Sequence, residues 1–451
     1  YKWNLIAVAL LPFVFACKKF VDVDAPSTSI SSSTLFTNDQ AATSAVLGLY
    51  SQMGLTNLLF ANGGITLHSA LSADELVNTT TNASLDAFRT NSLLSTETFV
   101  ASRFWNPAYR FIYQTNAVLE GLQNSPISSV VKNQLRGEML FTRALHYFYL
   151  INIFGNVPYL TKSDYSINAV ADRTPVATIY QGITNDLIEA ENLLSNAYPS
   201  AGKGRINKWV ATALLARTYL YQKNWAAAEI HAGSIIASGQ YNLATNLNTV
   251  FLPSSSEVMW QLLRDNTNTA EGITFVPSSS TTRPAYAVTN QLIGAFEVGD
   301  NRRSSWLQLN TVSGQQFYYP FKYKIRVATP TTEYLTAFRL AEMYLIRAEA
   351  RAQQNKLTDA LSDLNKVRNR AGLTNSNAAN LGSVLLAIEK ERQVELFAEW
   401  GHRWFDLKRT DRADIIISSI KGSNWQSTDQ LYPIPFAELQ KNPLLTQNLG
   451  Y

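Results

Sequence analysis

Glu391, Glu395 and Glu399 stand four residues apart in a stretch with helical spacing, and carboxylates in pairs are what glycosidases use to cleave sugars. That chemistry needs two carboxyls facing each other across a cleft. Three on one helix face, beside Lys390 and Arg392, suit ion pairing or solvation instead. The four histidines, His68, His146, His231 and His402, are scattered, and no HExxH run pairs them as metal ligands. In AGKGR, Ala201 to Arg205, Gly204 occupies the place where a phosphate loop needs Ser or Thr. No GxSxG occurs. These residue types and spacings make a weak case for catalysis.

Binding chemistry is better represented. The chain of 451 residues carries 9 Trp, 21 Tyr and 21 Phe, and many of these rings fall in two stretches, 54–104 and 240–332, rich in Asn, Thr, Ser and Gly. Long connections of that kind are usually functional or disordered, and their ring content argues against plain disorder. Rings offer flat, rigid contact area for the C–H faces of sugars, and Tyr and Trp add a polar tip. The candidate ligand contacts are Phe275, Tyr286, Trp306, Tyr318 and Tyr319, with Asp74, Arg89, Arg283 and Gln316 as polar partners. Phe99 and Arg103, at the end of the first stretch, are placed to face ligand. Trp105 and Tyr109 read as core residues at the start of a helix. YYPFKYK, Tyr318 to Lys324, reads as a strand within the same elaborated side.

Two features bear on where the chain works. The single cysteine, Cys17, excludes an intrachain disulfide and a cysteine zinc site. It follows an apolar run from Leu5 to Ala16 that is too short to cross a bilayer and has the character of a secretory segment. Val14, Phe15 and Ala16 before Cys17 have the pattern of a lipoprotein signal, which makes Cys17 a lipid attachment point once the preceding residues are removed. The Ser/Thr-rich stretch from Asp22 to Thr34 then reads as a tether. A formal net charge of +4, without a basic block or stripe, makes nucleic acid an unsuitable partner.

The elements that must position these residues are mainly helical. Apolar residues recur at helical spacing near 38–53, 105–124, 130–153, 176–195, 207–222, 225–238, 333–354, 357–371 and 383–400. The segment 207–222 is apolar on nearly every side, so it belongs between neighbours. Two helix pairs repeat with an offset of 132 residues: Ala216 matches Ala348, Gln222 matches Gln354, Trp225 matches Leu357, and Ala228 matches Ala360. Small residues on facing helices joined by a short polar turn follow the logic of tetratricopeptide repeats. The expected fold is a mostly α helix-pair scaffold with irregular, loop-rich insertions on its ligand side.

From Glu389 to Arg409, EKERQVELFAEWGHRWFDLKR interleaves charge with apolar residues. Two helical pieces should meet at Gly401, with arginine forks bonding carboxylates. Arg392, Glu395, Glu399, Arg403, Asp406 and Arg409 form the expected structural ion-pair network. The same stretch resembles the signature of the RagB/SusD family of outer-membrane nutrient-binding lipoproteins. FRLAEMYLIRAEA (338–350), RALHYFYLINIFGNVPYL (143–160), LYPIPFAELQKNPLLTQNLGY (431–451) and the CKKFVDVDAP start resemble family segments too, in the family's order.

The resemblance implies about four tetratricopeptide-like helix pairs and no catalysis or cofactor. It implies an outer-membrane lipoprotein anchored through Cys17 and acting as a lid over a SusC-like TonB-dependent barrel. An oligosaccharide, or a peptide in some members, would be held between lid and barrel. The expected organisation is a signal segment at 1–16, an anchored tether at 17–37 and one domain at 38–451, with insertions at about 54–104 and 240–332. The alternatives are a peptide-binding member of the same family, a lipid-anchored tetratricopeptide-like interaction scaffold, and a surface glycoside hydrolase.

Overall fold

The computed structural model describes residues 35–451, apart from 265 and 266. Cys17 and most of the expected tether lie outside the described residues. Eight helices stack in chain order to make the frame: α1 (Asn106–Gln123), α2 (Ser129–Phe154), α3 (Val176–Leu193), α4 (Lys208–Tyr221), α5 (Trp225–Ala237), α6 (Leu340–Gln353), α7 (Leu357–Arg370) and α8 (Leu381–Leu396). Each packs against the next, so the frame is four consecutive antiparallel pairs. The helix Asp39–Leu55 lies against α1 and α2.

The repeat has a backbone basis. Lys223, between α4 and α5, and Asn355, between α6 and α7, both adopt left-handed conformations, at φ 58° and 60°. They stand at matching places in the 132-residue repeat. Asn224 N donates to Tyr219 O and Lys356 N to Arg351 O, both at 2.9 Å, the closing bond of a Schellman turn. Each turn folds its second helix back on the first, and alanines let the pairs close: Ala213, Ala216, Ala228, Ala348, Ala352 and Ala360 are wholly buried. The insertion 240–332 separates the two repeats in sequence but not in space, because α5 packs directly on α6. At the repeat junction Arg217 of α4 makes a bidentate bond to Glu342 of α6, at 2.6 and 2.7 Å. Its guanidinium lies 4.1 Å from the Phe338 ring centre.

Two expected helices are shorter than their apolar spacing suggests. The segment expected as a helix over 333–354 begins as a strand, Leu335–Arg339, antiparallel to Val258–Leu262, and only then enters α6. All five strand residues are buried, so their apolar character satisfies a sheet as well as a helix. The helix expected over 383–400 stops at Leu396, where Ala398, Trp400 and Gly401 take positive φ. A Cβ on Gly401 would lie 2.8 Å from the Ser69 side chain, so the close approach of backbone to the 64–72 helix requires glycine.

The insertions are more regular than loops. The first holds the helices Gly64–Ser72 and Ala83–Thr90 and a π-helix, Val100–Trp105. The second holds short helices and the hairpin Leu307–Val312 with Gln315–Pro320. They are joined to each other where Leu76–Asn78 pairs with Tyr286–Val288. Pieces of three to nine residues are too short to show a clear period, which is why they read as irregular. No helix among the described residues is long and apolar enough to cross a membrane.

Candidate ligand face

A buried joint of charges fixes the second insertion to the frame. Arg302, on the short helix Asn301–Trp306, bonds Asp300 at 2.8 Å, Glu391 at 2.7 Å and Glu395 at 2.8 Å. Arg339 bonds Glu257 at 2.9 Å and Glu399 at 2.8 Å and also reaches Glu395. Arg370 bonds Glu257 and Glu395, and Lys322 bonds Glu399. Burial alone would raise the Glu395 carboxyl, but Arg370, Arg339 and Arg302 overcome it and hold it well below the usual carboxylate range. Burial brings the Lys322 ammonium down to about 8 against the pull of Glu399. Glu391, Glu395 and Glu399 are therefore ion-paired and buried, and the solvated alternative for them is corrected.

The remaining network residues make a second joint. Arg392 forks onto Asp406 at 2.7 and 3.1 Å, while Arg409 gives Asp406 a single Nε bond at 2.7 Å and forks onto Glu349, at 2.7 Å through Nη2. Arg403 bonds Asp74 at 2.8 and 2.7 Å. A cleft of about 460 Å³ opens beside this joint, lined by Trp225, Leu385, Leu386, Glu389 and Arg409 among others. The Arg392, Asp406 and Arg409 charges that border it are engaged with partners inside the protein, which leaves them poorly placed to grip a ligand.

Rings and guanidiniums without a carboxylate partner gather instead where the two insertions meet. The Arg103 guanidinium lies 5.1 Å from the Phe99 ring centre, and its charge also acts on the Tyr286 hydroxyl, whose pKa burial raises and Arg103 lowers. Tyr286 meets Phe275 edge to face at 6.1 Å. Arg326 donates to Ile273 O and Val276 O, at 2.7 and 2.9 Å, on either side of Phe275. Arg283 lies 5.0 Å from the Phe317 ring centre. The loop carrying it is tied down by Asn310 Nδ2, which donates to Ser279 O and Thr282 O at 2.9 and 2.7 Å. Arg103 sits on the π-helix, a rare element that frequently occurs at functional sites.

The candidates chosen from sequence divide among several settings. Phe275, Arg283 and Tyr286 come together on this face, with Phe275 and Tyr286 only 4% and 8% exposed, so little of either ring reaches solvent. Strand alternation splits the hairpin residues. Phe317 and Tyr319 point to one side, while Gln316 and Tyr318 point to the other, where Arg303 lies 5.9 Å from the Tyr318 ring centre. Arg89 is engaged with Asp86 at 3.1 Å on its own helix.

Two candidates are corrected. Trp306 is 0% exposed, donates Nε1 to Leu247 O at 3.0 Å and has Lys322, Arg370 and Arg339 within 6 Å of its ring. Its ring roofs the buried charges and is closed to a sugar. Asp74, also buried, is spent on Arg403. Arg326 was missed. It follows the hairpin in an unpatterned stretch, and only the folded loop brings it beside Phe275.

Stacked helix pairs carrying an inserted face of this kind define a tetratricopeptide-like fold. A sequence model of the SusD family matches residues 296–451, and a second, described as starch-binding associating with outer membrane, matches residues 20–220. The chain belongs to the SusD family, also called RagB/SusD. Among its relatives, SusD-like protein P25 of Formosa agariphila is 27% identical over 99% of both chains. The starch-binding protein SusD of Bacteroides thetaiotaomicron is 24% identical over 70% of this chain and 72% of that one. A laminarin-binding SusD-like protein superposes with a TM-score of 0.80 at 25% identity, over 92% of this chain and 100% of the other. A SusD superfamily protein of Bacteroides vulgatus, at TM-score 0.81 and 20% identity over 93% of this chain and 100% of that one, shares the fold.

Proposed function

We propose that the chain captures oligosaccharides on the face formed by Phe99, Arg103, Phe275, Arg283, Tyr286 and Phe317, without chemical change to them. In this reading Cys17 is the lipid attachment point, residues 1–16 are a signal segment, 17–37 a tether and 38–451 one domain at the outer surface of an outer membrane. The domain serves as a lid for a SusC-like TonB-dependent barrel, which completes the enclosure around the sugar. The supporting observation is the meeting of the two insertions in a face of largely buried rings and guanidiniums, on a frame whose relatives include starch-binding and laminarin-binding proteins. Ring edges and planar cations suit the C–H faces and hydroxyls of sugars. The non-catalytic part of the reading rests on Glu391, Glu395 and Glu399, which are closed in by arginines and cannot flank a glycosidic bond.

Isothermal titration of the purified chain with malto- and laminari-oligosaccharides and a wider glycan panel tests the binding. Binding with no release of reducing ends is expected. Turnover, or binding of peptides in place of every glycan, would contradict it. The partnership is tested by gentle detergent extraction, from which the chain should emerge with a large β-barrel rather than alone.

A further inference from the structure

The arginines of this protein fall into two groups. Among the described residues fifteen of them reach a carboxylate within 4 Å. Arg103, Arg283 and Arg326 do not, although all three stand on the candidate face. Their contacts are ring faces and backbone carbonyls, which leave the positive charge uncompensated. Arg103 is half-buried, its Nη1 makes only a long 3.4 Å contact to Asn57 O, and its Nε is buried with no partner. Arg283 and Arg326 are exposed.

The acids of the same segments do not answer these charges. Glu97 accepts the Phe99 amide at 3.1 Å, and Glu333 accepts the Lys324 and Ile325 amides at 2.8 and 3.2 Å. Glu271 is buried, which pushes its carboxyl up to about 7 and leaves it partly neutral. Four other arginines, Arg110, Arg173, Arg264 and Arg303, also lack a carboxylate among the described residues; Arg264 bonds Asn57 and the Asn268 carbonyl, and Arg303 lies over Tyr318 on the opposite side of the hairpin. Arg110 lies over Phe111, and Arg173 bonds the carbonyls of Asn156 and Thr446.

We infer that the ligand is an acidic oligosaccharide, whose carboxylate or sulfate groups bond the Arg103, Arg283 and Arg326 guanidiniums while its sugar rings lie against Phe99, Tyr286 and Phe317. The inference rests on the glycan-binding reading and narrows it. A neutral sugar would leave the three guanidiniums without a counter-charge. An acidic one supplies it through charge-assisted bonds, which are about twice as strong as neutral ones. The positive face also draws an anionic chain from a distance, an attraction that salt weakens.

The test uses the full chain against an array holding oligogalacturonates, alginate oligosaccharides and sulfated galactans beside laminari-, malto- and galacto-oligosaccharides. The tightest binder is expected to be acidic, by about tenfold over any neutral member, a difference of about 1.4 kcal/mol. Its advantage should shrink in 0.5 M NaCl and in R283Q and R326Q, both exposed positions where folding is not at risk. A neutral tightest binder, or an acidic preference unchanged in both variants, overturns the inference and leaves glycan binding standing. Absence of binding to every glycan on the array overturns both.

Discussion

Arg339 and Arg103 carry the same guanidinium into opposite surroundings. Arg339 sits in the frame among Glu257, Glu395 and Glu399, buried and fully engaged. Arg103 sits on the inserted π-helix over a ring, with one nitrogen buried and unpartnered. The frame uses arginine to lock helices together through bonds made inside the protein. The inserted face keeps arginine unspent, which costs desolvation without return until something from outside arrives. Charge alone therefore does not separate structural from ligand-facing residues here; what each charge already holds does.

Breaking the engaged side should have the largest effect. Arg339→Met leaves Glu257, Glu395 and Glu399 short of a counter-charge in the interior, and urea denaturation should show a loss of about 3–5 kcal/mol. Trp306→Ala removes the ring that roofs the same joint and should cost about 3 kcal/mol or more of stability. That outcome separates Trp306 from the ligand contacts, because a surface stacking residue would lose affinity with the fold intact.

A third change probes a buried acid of the first insertion, Glu75, which has no ion-pair partner among the described residues. Burial, and then the neighbouring Asp74, push the Glu75 carboxyl up to about 8 from 4.5. Because the folded state holds the proton more tightly, the stability this group contributes is full below about pH 4.5 and is lost as pH climbs through about 8. Glu75→Gln removes that loss. The difference in Tm, variant minus parent, should accordingly be larger at pH 8 than at pH 5. The smallest effect belongs to the unspent side: Arg283→Gln should leave stability within about 0.5 kcal/mol of the parent, and a larger loss would mean that Arg283 is structural after all.

The contrast also marks what could be read from sequence. The frame was legible because α4–α5 and α6–α7 repeat in residue type at a fixed offset, and the structure repeats even the left-handed turn residue, Lys223 against Asn355. The density of charge around Gly401 likewise announced an ion-paired joint. Its depth was not legible, since Arg302 and Glu257 reach it from segments that carry no helical period. On the candidate face the ring types were visible and their burial was not. Trp306 and Tyr286 look alike as aromatic residues in one insertion, yet one is wholly enclosed over the buried charges and the other keeps a small exposed fraction. That distinction depends on pairings such as Leu76–Asn78 with Tyr286–Val288, more than 200 residues apart, which no local pattern encodes. Strand parity is the exception: Gln316 and Tyr318 could have been assigned to the face opposite Phe317 and Tyr319 once the hairpin was recognised.

Hydrogen–deuterium exchange on the chain, with and without a saturating oligosaccharide, tests the central claim most directly. Protection confined to 99–105, 273–288 and 315–326, with α3 through α7 unchanged, is the predicted result. Protection running along those helices, with the inserted segments exchanging as before, would contradict it and move the binding site onto the repeat scaffold itself.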